Sequence, residues 1–269
     1  MNKNSFAENV IIITGASAGI GKELALQFSK LDSLLSLAAR DEKKLNEIAE
    51  QCRANGAKVL AFPADVSQKA ECKNLIDRTV EEFGRIDTLI NNAGVSMWAR
   101  FDEITDLTLF EKIMQVNYLG SVYCTYFALS HLKKSKGRIV GISSLTGKTG
   151  VPTRTGYSAS KHAMAGFFDS LRIELMNSGV TVTMIYPGFV ATEVRERAFG
   201  ADGKTLGKSH INEKNVMTAE ECASQIIKAV AKRKRELVMT TKAKIGLWIK
   251  LLNPGLIDKT SLKMISKGK

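Results

Sequence analysis

Short apolar runs rich in β-branched residues alternate along almost the whole chain with longer segments of helical periodicity. The first, NVIIIT at 9–14, is followed by a helical pattern at 19–31 with Leu24, Phe28 and Leu31 on one face. Continuous apolar runs of this length read as strands buried on both faces. Further strands are expected at 33–40, 57–66, 86–94, 137–144, 180–188 and 236–240. Helices are expected at 41–56, 68–83, 106–134, 156–179 and 219–235. Strand–helix–strand units pair in parallel through right-handed crossovers. The chain is therefore expected to be α/β: one domain with a doubly wound parallel sheet of about seven strands and helices on both faces. Ligands of such sheets bind at the carboxyl ends of the strands, where the strand order reverses.

The turn after the first strand is TGASAGIG, with glycines at 15, 19 and 21. Glycine permits a tight turn and a close backbone approach to a pyrophosphate, and the following helix N-terminus offers free N–H groups. The second strand ends in LAAR, with Arg40 where an acid would accept from a ribose 2′-hydroxyl. An arginine there suits a 2′-phosphate, so NADP(H) is expected over NAD(H), and Ser17 adds a hydroxyl. Asp41 reads as the cap of the next helix. Lower down, GYSASKHA sets Tyr157 and Lys161 at i and i+4, on one face of a helix. A neighbouring ammonium favours the phenolate and makes the phenol a workable proton donor and acceptor. Ser144 ends the preceding strand, and Asn117 lies inside a helix, where asparagine is favoured only if its amide has a partner.

With TGASAGIG, the acid of ADVS (Asp65), NNAG (91–94), Asn117, Ser144, YSASK and PGFVAT (187–192) in this order, the chain resembles the short-chain dehydrogenase/reductases over residues 9 to about 240. Ser144 stands 13 residues before Tyr157, as that family's catalytic serine does. The resemblance implies a Rossmann-type domain over 1–241, with a substrate lid at about 189–216. It implies that Tyr157 is the general acid in carbonyl reduction and the base in alcohol oxidation. Lys161 would hold the nicotinamide ribose and lower the tyrosine pKa, Ser144 would polarise the substrate oxygen, and Asn117 would hold a water in a proton relay. Gly15, Ser17, Gly19, Ile20 and Gly21 would line the pyrophosphate and adenosine ribose, and Asp65 and Val66 the adenine. Asn91, Ala93 and Gly94 would pass along the cofactor, while Pro187, Gly188, Val190 and Thr192 would contact its nicotinamide half; Arg40 matches the NADP-using branch. NADPH would give hydride to a ketone or aldehyde carbon while Tyr157 protonates the oxygen. The alternative is a catalytically silent NADP-binding sensor. A homodimer or homotetramer through the long helices is the family's habit.

Composition narrows the rest. The net charge is +12, and the stretch from 232 to 269 holds eleven Lys or Arg against Glu236 and Asp258, a net of +9. Only Trp248 is aromatic in the tail, so there is no stacking platform for nucleic acid. In KAKIGLWIKLLNPG (242–255), Ile245, Trp248, Ile249 and Leu252 form an apolar stripe among Lys242, Lys244 and Lys250. Two readings fit this extension (242–269): a helix packed on the body or on a dimer mate, and an interfacial helix on an anionic membrane through 242–252. The motif ISSLTGK and the basic hydrophobic tail also resemble the branch of hydroxysteroid dehydrogenases and lipid-linked reductases. No apolar run is long enough to span a bilayer. The opening MNKNSFAENV carries no leader pattern, and the four cysteines form no CxxC pair, so a cytoplasmic protein with free thiols is expected. No metal is expected, since His131, His162 and His210 have no ligand spacing. Met97, Trp98 and Phe101 fit either an apolar wall for substrate or ordinary packing.

Overall fold

The computed structural model describes residues 5–194, 196–207 and 216–266. Its sheet has seven parallel strands: β1 (Val10–Thr14), β2 (Leu34–Ala39), β3 (Lys58–Pro63), β4 (Thr88–Asn91), β5 (Arg138–Ile142), β6 (Thr181–Tyr186) and β9 (Glu236–Val238), in the order β3-β2-β1-β4-β5-β6-β9. Strand order reverses between β1 and β4. The short β7 (Val190–Ala191) and β8 (Met217–Thr218) form a separate two-stranded ladder.

Alternate side chains of a strand face opposite ways, and β1 shows why its run is apolar throughout. Ile11 and Ile13 face a core made with Leu24 and Phe28 of α1 (Gly19–Phe28), Leu45 and Ile48 of α2 (Glu42–Ala54), and Ile226 and Val230 of α7 (Ala219–Ala231). Ile12 faces the other layer, with Leu75 of α3 (Lys69–Phe83), Leu132 of α5 (Gly120–Ser135) and Phe168 of α6 (Thr155–Glu174). At the lower edge the buried Asp87 carboxylate accepts the Val10 N–H at 3.0 Å and pairs with Arg85 at 2.7 Å. All four cysteines are buried free thiols.

The single helix expected over 106–134 is broken. α4 (Thr108–Met114) passes through one π turn, Gln115–Leu119, before α5 begins. Asn117 lies in that turn, fully buried. Its Oδ1 accepts the Val95 N–H (2.8 Å), and its Nδ2 donates to Val95 O and Ser160 Oγ (2.9 Å each). The amide thus ties the chain after β4 and helix α6 to one point, where a π turn re-aims the side chain.

The tail folds into α8 (Thr241–Leu252) and α9 (Pro254–Ser266). α8 packs on the body through Ala243 and Leu247, and its Lys250 Nζ donates to Lys148 O at 2.7 Å. The body-facing side is therefore 243, 246, 247 and 250, and three of the four residues of the expected stripe, Ile245, Trp248 and Leu252, are exposed while Ile249 is half-buried; Leu251, Leu256 and Leu262 are exposed as well.

Candidate active site

Above the carboxyl ends of β1, β4, β5 and β6 lies a cleft of about 1220 Å³. At its β1 end, Gly15 has φ +67° and Asn92 clamps the turn, its Nδ2 donating to Thr14 O (2.8 Å) and Gly15 O (3.2 Å). The Thr14 hydroxyl accepts the N–H groups of Asn92 and Ala93 at 3.0 Å each. A Cβ at Gly21 would stand 2.2 Å from the Gly15 carbonyl oxygen. The glycines at 15 and 21 are thus required by backbone and the Asn92 amide packed against backbone, and they leave an open turn at the head of α1.

Gly15, Ser17, Gly19, Ile20, Arg40, Asp65, Val66, Ala93 and Gly94 all line the cleft. Gly21 does not; it packs beneath the turn. Asn91 does not either, a correction to the sequence expectation. As the last residue of β4 it points into the core and donates to Thr125 Oγ1 at 3.2 Å, while Asn92, beyond the strand, faces the cleft. At the far corner Arg40 is largely exposed, 3.9 Å from the Asp65 carboxylate. Asp41 caps α2, accepting the Lys44 N–H at 3.1 Å.

At the β5 end, Ser144, Tyr157 and Lys161 converge on the cleft, with Pro187, Gly188, Val190 and Thr192 along its rim. The Ser144 hydroxyl accepts the Thr146 N–H at 3.3 Å and hydrogen-bonds the Tyr157 side chain. Lys161 is buried, donates from Nζ to Ile142 O at 2.8 Å, and is lowered by that burial to about 8. Burial pushes Tyr157 above the ordinary phenol value. The opposing influences are the Arg154 guanidinium and the Ser144 hydrogen bond, rather than the Lys161 charge that the i, i+4 spacing suggested. Asn117 is beneath this group and does not line the cleft, so its side chain holds other residues in place.

Other expectations fare unevenly. Met97, Trp98 and Phe101 do not line the cleft. Met97 is core and its Sδ accepts the Gly156 N–H, Trp98 stacks on Arg154, and Phe101 is exposed against Phe110. The lid expected at 189–216 falls partly outside the described residues, as does His210; Phe189, Val194, Phe199 and Thr205 line the cleft. Among the described residues no group of three His, Cys, Asp or Glu is placed to hold a metal. The largest omission of the sequence reading is the tail. Ala243, Gly246 and Leu247 of α8 and Ile257, Thr260 and Ser261 of α9 form a wall of the same cleft.

Residues 9–202 match the model of the short chain dehydrogenase family. The chain is 36% identical over 270 residues to a dehydrogenase/reductase SDR family protein 7-like of Dictyostelium discoideum, covering 98% of this chain and 84% of that protein. It is 38% identical over 261 residues to an 11-beta-hydroxysteroid dehydrogenase A of Arachis hypogaea, covering 94% and 74%. Among solved structures, an alcohol dehydrogenase of Thermococcus sibiricus complexed with 5-hydroxy-NADP superposes with a TM-score of 0.73 at 27% identity, over 86% of this chain and 96% of that one. A short chain dehydrogenase/reductase of Burkholderia phymatum in complex with NAD gives a TM-score of 0.82 at 24% identity, over 94% and 96%. With glycine turn, Ser144, Tyr157 and Lys161 gathered on one cleft of a doubly wound sheet, this chain belongs to the short-chain dehydrogenase/reductase family of oxidoreductases.

Proposed function

We propose that the protein is an NADP(H)-dependent oxidoreductase that interconverts a ketone or aldehyde with its alcohol, with Tyr157 as general acid and base. The observation that carries this reading is the convergence of the Tyr157 phenol, the Ser144 hydroxyl and the Lys161 ammonium at one end of a cleft whose other end carries Arg40. When bound, the dinucleotide supplies or accepts the hydride. The glycine turn and Ser17 would hold its pyrophosphate, Arg40 a 2′-phosphate, and Asp65 and Val66 the adenine. Ser144 donates to the substrate oxygen, and Tyr157 gives or takes the proton there. Lys161, buried and positive below pH about 8, favours whichever neighbour carries negative charge.

The substrate end is lined by Leu145, Val151, Phe189, Val194, Phe199 and Leu247, and this apolar lining suits a bulky apolar ketone or secondary alcohol. Two relatives named for hydroxysteroid dehydrogenation agree with that choice. The test is oxidation of NADPH and NADH, followed by loss of nicotinamide absorbance, against carbonyls from small diketones to steroid ketones. Turnover that favours NADPH and large apolar ketones supports the reading. Nucleotide binding without turnover on any member of the panel would favour a sensor.

In the same reading the chain works as a homodimer or homotetramer through α4–α5 and α6, which light scattering tests. It lies in the cytoplasm against an anionic membrane, with the exposed Trp248, Leu251 and Leu252 on the bilayer among Lys242, Lys244 and Lys259. Trp248→Asp should abolish co-sedimentation with phosphatidylserine vesicles, and a wild-type protein that never sediments would remove the membrane from the proposal.

A further inference from the structure

Arg154 stands one turn before Tyr157, at the N-terminal boundary of α6, and is only 6% exposed although its side chain reaches the cleft. Its Nη1 donates to Ser96 Oγ at 2.7 Å. The guanidinium carbon lies 4.6 Å from the centre of the Trp98 ring and 5.8 Å from the centre of the Tyr157 ring. The surrounding backbone is tied on three sides: Ser158 N–H to Arg154 O at 2.7 Å, Ala99 N–H to Thr153 O at 3.0 Å, and Phe199 N–H to Ser96 O at 2.9 Å. The guanidinium is therefore set in place by α6, by the chain after β4 and by the chain after β7.

A second cation stands at the same distance from the phenol ring, with Lys161 Nζ also 5.8 Å from its centre. The two differ in persistence. Lys161 gives up its proton near pH 8, within the range where a dehydrogenase needs the phenolate, whereas a guanidinium keeps its charge at any pH the fold survives. Among the described residues, the other surroundings of the phenol carry little charge. The turn after β5 offers the Ser144 hydroxyl, α4 packs with Leu109 and Ile113, and the chain after β4 with Met97 and Ala99. In the described part of 189–207, Glu193 and Arg197 line the cleft and pair with each other.

We propose that Arg154 is the permanent cation that favours the phenolate of Tyr157, a positioning residue for proton transfer that acts through the tyrosine and not on the substrate. Attraction between the buried guanidinium and the phenol ring agrees with this, and so does the direction in which Arg154 moves the Tyr157 titration. The inference rests on Tyr157 being the general acid and base.

The test is a direct titration of the full-length protein carrying carbon-13 at the tyrosine Cζ. Five resonances are expected, and the one lost in Tyr157→Phe reports the phenol. In Arg154→Gln its midpoint should rise by about one unit, because the phenolate loses a neighbouring charge, and Arg154→Lys should recover at least half of that shift. Ser96→Ala, which frees the guanidinium without removing it, should raise the midpoint less, and it decides the question if Arg154→Gln does not fold. An unmoved midpoint in the folded Gln variant, or in Ser96→Ala where Gln fails, overturns the proposal. So does a Lys variant shifted as far as the Gln variant, since the charge would then not be the cause. The reading beneath fails separately: if Tyr157→Phe reduces carbonyls as the wild type does, Tyr157 is not the acid, whatever its titration shows.

Discussion

Beneath the glycine turn at the β1 end of the cleft, a side chain at position 21 has nowhere to go. A Cβ on Gly21 would meet the Gly15 oxygen at 2.2 Å and Asn92 Nδ2 at 2.5 Å. At the α8 end, Gly246 lines the same cleft, and a Cβ there would find nothing within 4 Å. One end is a cradle of backbone on backbone, suited to one unchanging ligand part. The other is a wall of side chains on two helices that show apolar residues to solvent, and it tolerates change. Within one cleft, a turn fixed by main-chain packing thus faces a wall built from side chains.

The largest expected effect lies where the two ends meet. Tyr157→Phe should lower turnover by about three orders of magnitude while NADPH affinity, measured by fluorescence titration, stays within a few-fold of wild type. Normal turnover would dissolve the distinction between a binding end and a reacting end. Next, the same substitution should act oppositely at the two ends. Gly21→Ala should cost about 3 kcal/mol in urea unfolding, because backbone must shift, whereas Gly246→Ala should gain about 0.5 to 1 kcal/mol in an open helix. Equal effects would end the comparison.

Arg40→Asp should move the NADPH-to-NADH ratio of kcat/KM toward NADH by about 10- to 100-fold, the scale of a lost charged hydrogen bond. An unchanged ratio would show that this corner does not read the phosphate. The buried Lys161 gives a stability test. Its folded value, about 8, is below the ordinary 10.5, so between these pH values the unfolded chain holds a proton that the folded chain has released. Stability from this group therefore rises with pH through that window. Lys161→Met should stabilise the ligand-free protein by about 2 kcal/mol at pH 7, once the lost bond to Ile142 is set against the relief of burial. That gain should fade above pH about 10, and a constant gain would mean that charge burial is not its source.

The strands were legible because a parallel sheet covered on both faces needs unbroken apolar runs, and NVIIIT is such a run. Tyr157, Lys161 and the glycine turn were legible because their spacing is itself the geometry. What escaped depends on neighbours distant in sequence. Asn91 and Asn92 are adjacent and identical in type, and only the point where β4 ends decides which faces the cleft. The break at Gln115–Leu119 lies in a sequence with no Pro or Gly before Gly120 to announce it. Arg154 left a signal, a charge one turn before the tyrosine, but its burial between Ser96 and Trp98 is visible only once the loop after β4 is in place. The stripe expected in α8 is met in part, with Ile245, Trp248 and Leu252 exposed, Ile249 half-buried and Leu251 exposed beside them. Its outward orientation follows from the packing of Ala243 and Leu247 on the body, which turns the opposite face of the helix to solvent.

The strand order has a consequence for how the chain reaches this state. β1 is flanked by β2 and β4, and Ile13 pairs with both Leu37 and Ile90. No neighbouring pair in the seven-stranded sheet is joined by a hairpin, so each must wait for a helix-long stretch of chain to be gathered before its first bond forms. The centre of the sheet closes only after contacts some 77 residues apart, such as Val10 with Asp87, are made. Such topologies fold slowly, and their half-formed strands expose unpaired edges to other molecules. Recovery of the native protein from urea should therefore fall as protein concentration rises.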